Sequence, residues 1–527
     1  MKRPGAGRLS ALLVVPAVLS LALAACSPPG AGTAAQGGDG GDGPFEVTLL
    51  ANADPPDFDP HTPGADEKAN VVMNVFDTLT VLSPDLQETL PSLATEWAAI
   101  DDTTWEFTLR DDVDFSNGEH FDAEAVKFSV ERIMDPDAEV ARIGYSFPTL
   151  ESAEVIDETT VRIHTNVPDP IFPERAYALD IVPPEYTSSV SESEFAMNPI
   201  GTGAYTLADF VPGQQIVLEA NPNYWGEKPE VDRLIIKPVP EASTRTAELE
   251  TGGADIIKNA PVGQIPELEA ADGVHVEALA GRRIAYIGMN LLPGGEEALQ
   301  DKRVRQALNY AVDVQLILDT VMEGYGDRTA TVFRPDFTGF DPDLKPYPHD
   351  PEKAKELLAE AGYGDGLSLS IQFSEEIFAS AGEVINALAA QLAEVGVDAT
   401  IEVLDHPSYR SVVIDGQEAN EVAPLFAWQW GALEPSADSL INGTLETGGV
   451  SAYYSNPELD DLTQQARQEM DITKREDLYK QIQALLKEEA PFIFLYQIPD
   501  VYGISDRVQF SPRLDQYVIA KDLKRAE

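Results

Sequence analysis

The stretches LSLSIQF (Leu367–Phe373), GEVINALAAQLAEVG (Gly382–Gly396) and VDATIEV (Val397–Val403) follow one another with little intervening chain. They read as strand, helix and strand, and a short right-handed crossover of this kind lays the second strand parallel to the first. An α/β region is therefore expected here. Just upstream, DPEKAKELLAEAG supplies Asp350 as N-cap, Pro351 at the first helical position and Gly362 as terminator. Before that, DKRVRQALNYAVDVQLILDTVMEG opens on Asp301, places Val304, Ala307, Leu308 and Ala311 on one face and predicts a helix that stops at Gly324. Downstream, the helices NPELDDLTQQARQEM and TKREDLYKQIQALLKEEA lead to PFIFLYQ, an apolar run of strand length, so the chain is expected to return to a sheet after a helical excursion.

The first half reads as mixed α and β. PFEVTLLAN gives a first strand, and TTWEFTLR alternates Trp105, Phe107 and Leu109 with Glu106 and Thr108, the pattern of a half-buried strand. TTVRIHTN, with Val161 and Ile163 on one face, is its expected partner. Between them DAEAVKFSVERIM starts on Asp122 as a cap and carries apolar residues at helical spacing. No internal repeat is visible.

The chain has 527 residues, 90 of them acidic and 36 basic, for a formal charge of −54. The excess runs along the whole chain, which fits a heavily hydrated surface, or attraction of cationic solutes, and sets it against phosphate-rich partners such as nucleic acid. At the N-terminus Lys2, Arg3 and Arg8 precede the apolar run LSALLVVPAVLSLALAA, as in a secretory signal. That run ends in Leu23, Ala24, Ala25 and Cys26, which resembles the bacterial lipobox, where the cysteine is lipidated and becomes the new N-terminus. Cys26 is the only cysteine, so no intramolecular disulfide is available. Residues 1–25 are thus expected to be a signal peptide. SPPGAGTAAQGGDGGDGP, with almost no apolar side chain larger than Ala, makes residues 26–44 a flexible tether. The lipid chains would hold the protein on the outer face of the cytoplasmic membrane.

Catalytic patterns are scarce. There is no nucleophile-elbow Ser, no two-His zinc helix and no phosphate loop with Lys, and the six His stand apart at 61, 120, 164, 275, 349 and 406. Neither a cofactor nor a metal is expected. PIGTGAYTL, with Gly201 and Gly203, reads as a tight turn before a strand. Pairs such as Asp111 and Asp112 could be imagined as glycosidase carboxylates in a secreted hydrolase, but so acidic a chain produces pairs by chance.

Eight segments, in order, carry a resemblance. DPH at 59–61, WEFTLRDDVDFSNGEHFDAEAVKFSVERIMDP, PIGTGAYTLADFVPGQQIVLEANPNYWG, ELETGGADI, VRQALNYAVDVQLI, YPHDPEKAKELLAEAGY, YSNPELDDLTQQA and PFIFLYQ resemble the extracellular solute-binding proteins of family 5, the peptide and nickel group that feeds ABC importers. The resemblance implies a two-lobed periplasmic-binding-protein-like fold of the large peptide-binding type. Lobe one would comprise 45–286 with 496–527 and lobe two 287–495, with a hinge near IAYIGMN and FIFLYQ. It also implies capture of a small-molecule or peptide ligand and delivery to permease and ATPase subunits, without catalysis.

In LFAWQWGALEPSAD, Phe426, Trp428 and Trp430 occupy alternate positions and, on a strand, one face. Peptide-binding members resemble this segment with a cleft-wall Trp, an Asp that pairs with the peptide amine and an acid before Pro. Laid on Glu434 and Pro435, that pattern places Trp428 at the wall and Gly431 where the Asp would stand, so the amine anchor is missing. Aromatic walls suit sugar faces and cations. The resemblance therefore implies an oligopeptide held mainly by its backbone, or alternatively a sugar-like solute or a nickel chelate. Tyr145, Met289, Asn290, Tyr325 and Phe333 are further candidates for the cleft, and packing is the competing reading for each.

Overall fold

In the computed structural model, residues 43–526 are described apart from 64–65, 137–142, 418 and 432–435. The signal, the tether, Cys26 and Glu434 lie outside the described residues. Pro44–Glu527 form one compact unit.

The unit is organised by an eleven-stranded sheet. At its centre two long strands, Val274–Met289 and Phe492–Ser505, run antiparallel. On one side of the pair lie Leu425–Gly431, Leu367–Phe373 and Val397–Val403; on the other lie Ile256–Lys258, Glu46–Ala51, Arg233–Pro238, Gln215–Ala220 and Tyr205–Val211, while the eleventh strand, Asp327–Arg328, pairs with Phe492–Ser505 off this path. Strands Leu367–Phe373 and Val397–Val403 pair in parallel around helix Ala381–Glu394, the crossover that their sequence signals. PFIFLYQ is the start of a strand twice that length. Its far end, Tyr502–Ile504, pairs with Ile256–Lys258.

The central pair changes register midway. Ala280 faces Pro499 whereas Ile284 faces Gln497, so Gly281–Arg283 have no partner on the second strand. Two of their carbonyls are satisfied by side chains: Gln497 Nε2 donates to Gly281 O at 2.7 Å, and an Arg334 guanidinium N–H donates to Arg282 O. Gly281 is required by close approach, since a Cβ there would lie 2.5 Å from Ile498 O. A bulge of this kind twists the ladder and re-aims its side chains.

Apolar packing falls into three groups. Phe45, Val47 and Leu49 share a core with Val518, Ala520 and Leu523, so both ends of the compact unit are buried together. A second core lies beneath the four-stranded sheet of Ala94–Asp101, Thr104–Leu109, Thr160–Thr165 and Leu150–Asp157, and includes helix Ala123–Ile133. Asp122 caps that helix through the amides of Glu124 and Ala125. The third core covers the second half of the chain and reaches residues such as Leu249 and Ile265.

One local expectation is corrected. The helix predicted from Asp301 to Gly324 is two helices, Lys302–Ala311 and Val314–Val321. Asp313 interrupts it: the carboxylate accepts from Leu316 N and caps the second helix, while its own N–H donates to Gln391 Oε1. This is the usual reason short polar acids favour helix starts over helix interiors. In PIGTGAYTL the chain bends at 202–204 and enters the strand Tyr205–Val211 as expected, but neither glycine has a positive φ. Both lie flat on a neighbouring backbone instead, where a Cβ would be 2.1 Å from Val75 O at Gly201 and 2.5 Å from Asn74 O at Gly203.

Candidate ligand cleft

The aromatic face of Leu425–Gly431 grades from core to cavity. Phe426, 1% exposed, lies across Gly288, where a Cβ would stand 2.2 Å from the ring. Trp428, opposite Tyr286, is 3% exposed and packs against Tyr409 at 5.8 Å between centroids. Tyr409 is in turn fixed by donating its hydroxyl to Ala427 O. Trp430, opposite Ile284, is half-buried and rests on Gly443, whose absent Cβ would come within 2.5 Å of the indole.

Trp428 and Trp430 line a cavity of about 870 Å³. A second cavity, of about 690 Å³, shares Arg282, Trp430, Gly431 and Val450 with the first, so the two adjoin at these residues. One wall comes from the strand Glu46–Ala51 and its neighbours, through Asn52, Asn70, Lys258 and Asn259. The other comes from the second half of the chain, through Glu376, His406, Arg410 and the tryptophans.

The cleft contrasts with the chain as a whole. Its larger cavity carries Lys258, Arg282, Arg283 and Arg410 against Glu67 and Glu376. Behind it, burial pushes the Asp500 carboxyl above the usual carboxylate range, against the pull of its Gln516 hydrogen bond and of Arg283, Arg282 and Lys258. Among the described residues, buried atoms of lining side chains without a hydrogen-bond partner include Asn52 Oδ1, His406 Nδ1 and Trp428 Nε1. Buried polar atoms are normally satisfied, and a ligand or water can do so.

A chain of buried charges runs along the smaller cavity. Arg175 Nη2 donates to Asp438 Oδ2 at 2.7 Å, and Arg467 Nε donates to Asp438 Oδ1 at 2.8 Å. Asp169 lies 3.5 Å from Arg175 on one side, and Glu446 lies 2.7 Å from Arg467 on the other. Burial alone would raise the Asp438 pKa, but the two guanidinia outweigh it and hold the carboxyl below its ordinary range.

Of the residues singled out in the sequence, Trp428, Trp430 and Gly431 line the cleft. Met289 is instead wholly buried in the core, because the central strand has run past the cavity by that point. Asn290 is also buried, its amide donating to Asn420 Oδ1 and Val422 O. Phe333 is 1% exposed and packs edge-on to Phe337 and Tyr479. Tyr325 is half-buried against the same core. None of these four lines either cavity. The backbone of Tyr145 lies in the turn Ile143–Ser146, whose last residue touches the smaller cavity. Among the described residues no group of three or more His, Cys, Asp or Glu could hold a metal ion. The basic residues were missed by sequence reasoning, although the dipeptide Arg282–Arg283 in so acidic a chain was a usable signal.

A cleft of this depth between two wall segments, spanned by a bulged central pair, is the architecture of two-lobed binding proteins. The model of the bacterial extracellular solute-binding proteins, family 5 Middle, matches residues 88–452. The chain belongs to that family. Heme-binding protein A of Haemophilus influenzae is 29% identical over 476 residues, covering 84% of each chain. The glutathione-binding protein GsiB of Shigella dysenteriae is 29% identical over 417 residues, 76% of this chain and 79% of its own. In three dimensions the periplasmic binding protein DppA from Helicobacter pylori, in complex with the peptide STSA, matches with a TM-score of 0.78 at 24% identity, over 92% of this chain and 99% of its own. The fold is thus α/β, two-lobed and of the peptide and nickel type. Family 5 proteins serve transport, working with ABC permeases, and this chain is a solute-binding protein of an ABC importer. No helix among the described residues is long and apolar enough to cross a membrane.

Proposed function

We propose that the protein captures a small organic solute, an oligopeptide in the first instance, between lobe one (45–286 with 496–527) and lobe two (287–495), and presents it to the permease. The observation that carries this reading is the cavity lined from both segments, by Trp428 and Trp430 of one and by Asn52, Asn70 and Lys258 of the other. The register break at Gly281–Arg283 supports a hinge close to IAYIGMN and FIFLYQ. Binding would then bias an open-to-closed equilibrium, and the closed form would dock. The basic N-terminus, apolar run and Cys26 support lipid anchoring at the outer face of the cytoplasmic membrane.

Thermal unfolding of the chain from Pro44 onward, against di- to pentapeptides, oligosaccharides and nickel chelates, tests the capture reading. A ligand at 100 times its dissociation constant adds about 2.7 kcal/mol. A peptide-specific rise in midpoint is expected; a rise with sugars or chelates and none with peptides refutes the peptide assignment. Anchoring is tested separately, since Cys26→Ser is expected to release the protein from the membrane fraction and abolish fatty-acid labelling.

A further inference from the structure

We propose that the cavity beneath the C-terminal segment is a second binding site, separate from the cleft, for a small apolar amino acid whose ammonium is received by Asp77 and whose carboxylate is received by Lys521. The cavity measures about 380 Å³, inside the roughly 300–1,000 Å³ that small-ligand pockets occupy. Met73 lines it from helix Asp66–Val75 and Phe76 from just beyond that helix; Leu82 and Leu90 line it from the paired strands Thr80–Leu82 and Thr89–Pro91, and Ile519 from the C-terminal segment. It has no lining residue in common with the larger cavity of the cleft and only Tyr177 in common with the smaller one. The proposal is therefore independent of what the cleft holds.

Asp77 is the group that calls for a ligand. It is 8% exposed, and both of its side-chain donors go to one oxygen: Thr202 Oγ1 and Trp225 Nε1 each donate to Oδ2 at 2.9 Å. Among the described residues no donor meets Oδ1 and no cation pairs with the carboxylate. Oδ1 is not sealed in the interior, and the cavity that Asp77 lines is where it opens. A carboxylate this buried is ordinarily paired with a cation, and a primary ammonium supplies both the charge and the donor. Lys521 stands at the exposed rim of the same cavity. Its one hydrogen bond goes to Tyr224 Oη at 3.1 Å, so its ammonium keeps donors for a carboxylate. The Tyr224 ring lies 5.2 Å from that of Trp225, the residue that donates to Asp77, so one aromatic pair sets the cation and the anion beside each other. Burial works to lower the Lys521 pKa, but the surrounding charges, Asp77 foremost, raise it above its ordinary value. The two groups thus interact without forming an ion pair, and a molecule that carries an ammonium next to a carboxylate, as an α-amino acid does, satisfies both. Arg513 does not compete for the carboxylate, since Asp515 holds it at 2.6 Å. The apolar walls take the side chain.

The test is calorimetric titration of the chain from Pro44 onward with leucine, with isopentylamine, which lacks leucine's carboxylate, and with isocaproate, which lacks its amine. Leucine is expected to bind roughly 10-fold more tightly than isopentylamine, and isocaproate not to bind. Asp77→Asn, which keeps an oxygen for Thr202 and Trp225, is expected to weaken leucine roughly 10- to 100-fold, the loss of one charge-assisted bond. Lys521→Gln, at the exposed rim, is expected to weaken leucine without weakening isopentylamine, and it decides the matter should Asp77→Asn fail to fold. Trp430→Ala, in the cleft, is expected to leave leucine binding unchanged. The proposal is overturned if leucine does not bind, if isocaproate binds as tightly as leucine, or if leucine binding is lost in Trp430→Ala and kept in Asp77→Asn, which would put the amino acid in the cleft. Isopentylamine binding as tightly as leucine overturns the amino-acid assignment, because Lys521 would then receive nothing.

Discussion

Replacing Asp438 with Asn removes one charge from the chain Asp169–Arg175–Asp438–Arg467–Glu446, in which the Arg175–Asp438 link joins the two proposed lobes. Their side chains are 6% and 3% exposed and meet at 2.7 Å. Each end also keeps a partner on its own lobe, Asp169 for Arg175 and Arg467 for Asp438. Opening the cleft would therefore sever this link while leaving neither charge unpaired. Removing one member of a buried pair costs about 3–5 kcal/mol, and the retained partners place this case at the low end. About 3 kcal/mol corresponds to a shift in the closure equilibrium on the order of 100-fold.

The assay is a double-mutant cycle of Arg175→Met and Asp438→Asn, read as ligand affinity and as radius of gyration by solution scattering. Each single variant is expected to shift the protein toward the open form and weaken binding, and the double variant to lose no more than either alone. Glu446→Gln serves as control, because it touches the same network wholly within lobe two. The reasoning is refuted if Asp438→Asn lowers the unfolding midpoint yet leaves affinity and radius unchanged, which is the behaviour of a purely structural network. The pH dependence has a definite sign. Because the folded-state carboxyl of Asp438 is depressed, its contribution is complete above the ordinary carboxylate range and is lost only as pH falls below it. Closure should thus be indifferent to pH between about 7 and 5 as far as this group is concerned.

Four other outcomes are expected. Gly443→Ala would set a methyl 2.5 Å from the Trp430 ring and turn the indole; strain of about 1–3 kcal/mol should appear as a shifted tryptophan emission and weakened binding. Gly431→Asp would place its Cβ 2.8 Å from Arg282 O and 3.0 Å from the Arg283 side chain, so the strand edge must shift and ligand affinity should fall with no gain for amines, read by titration. Asp313→Ala removes the cap of Val314–Val321 and should cost about 1 kcal/mol by denaturant unfolding without changing affinity. Asp59, held by Arg132 at 2.5 Å, has its pKa lowered to about 2; burial opposes the shift and Arg132 outweighs it. Its contribution, about 2 kcal/mol, is therefore full above the ordinary carboxylate value and is lost as pH falls toward 2, and Asp59→Asn should flatten that part of the acid-unfolding curve.

What could be read from the sequence was local. The caps at Asp122 and Asp350, the parallel crossover of Leu367–Val403 and the alternation of Phe426, Trp428 and Trp430 each depend on residues within a few positions of one another, and the structure contains each of them. The error at Asp313 was also local, an apolar helical period outweighing a capping residue that stood in plain view. The cleft's cations were different. Lys258, Arg282 and Arg410 are far apart in the chain, and Arg282–Arg283 face the cavity only because residues as distant as Gln497 and Arg334 hold their strand out of register. Phe333 shows the limit from the other side: the loop it belongs to does reach the cleft's scaffold, but through its neighbour Arg334, while Phe333 turns into the core. Periodicity assigns a residue to a face; only the pairing of distant strands decides what that face meets. Hence the aromatic wall was legible, and the cations set beside it were not.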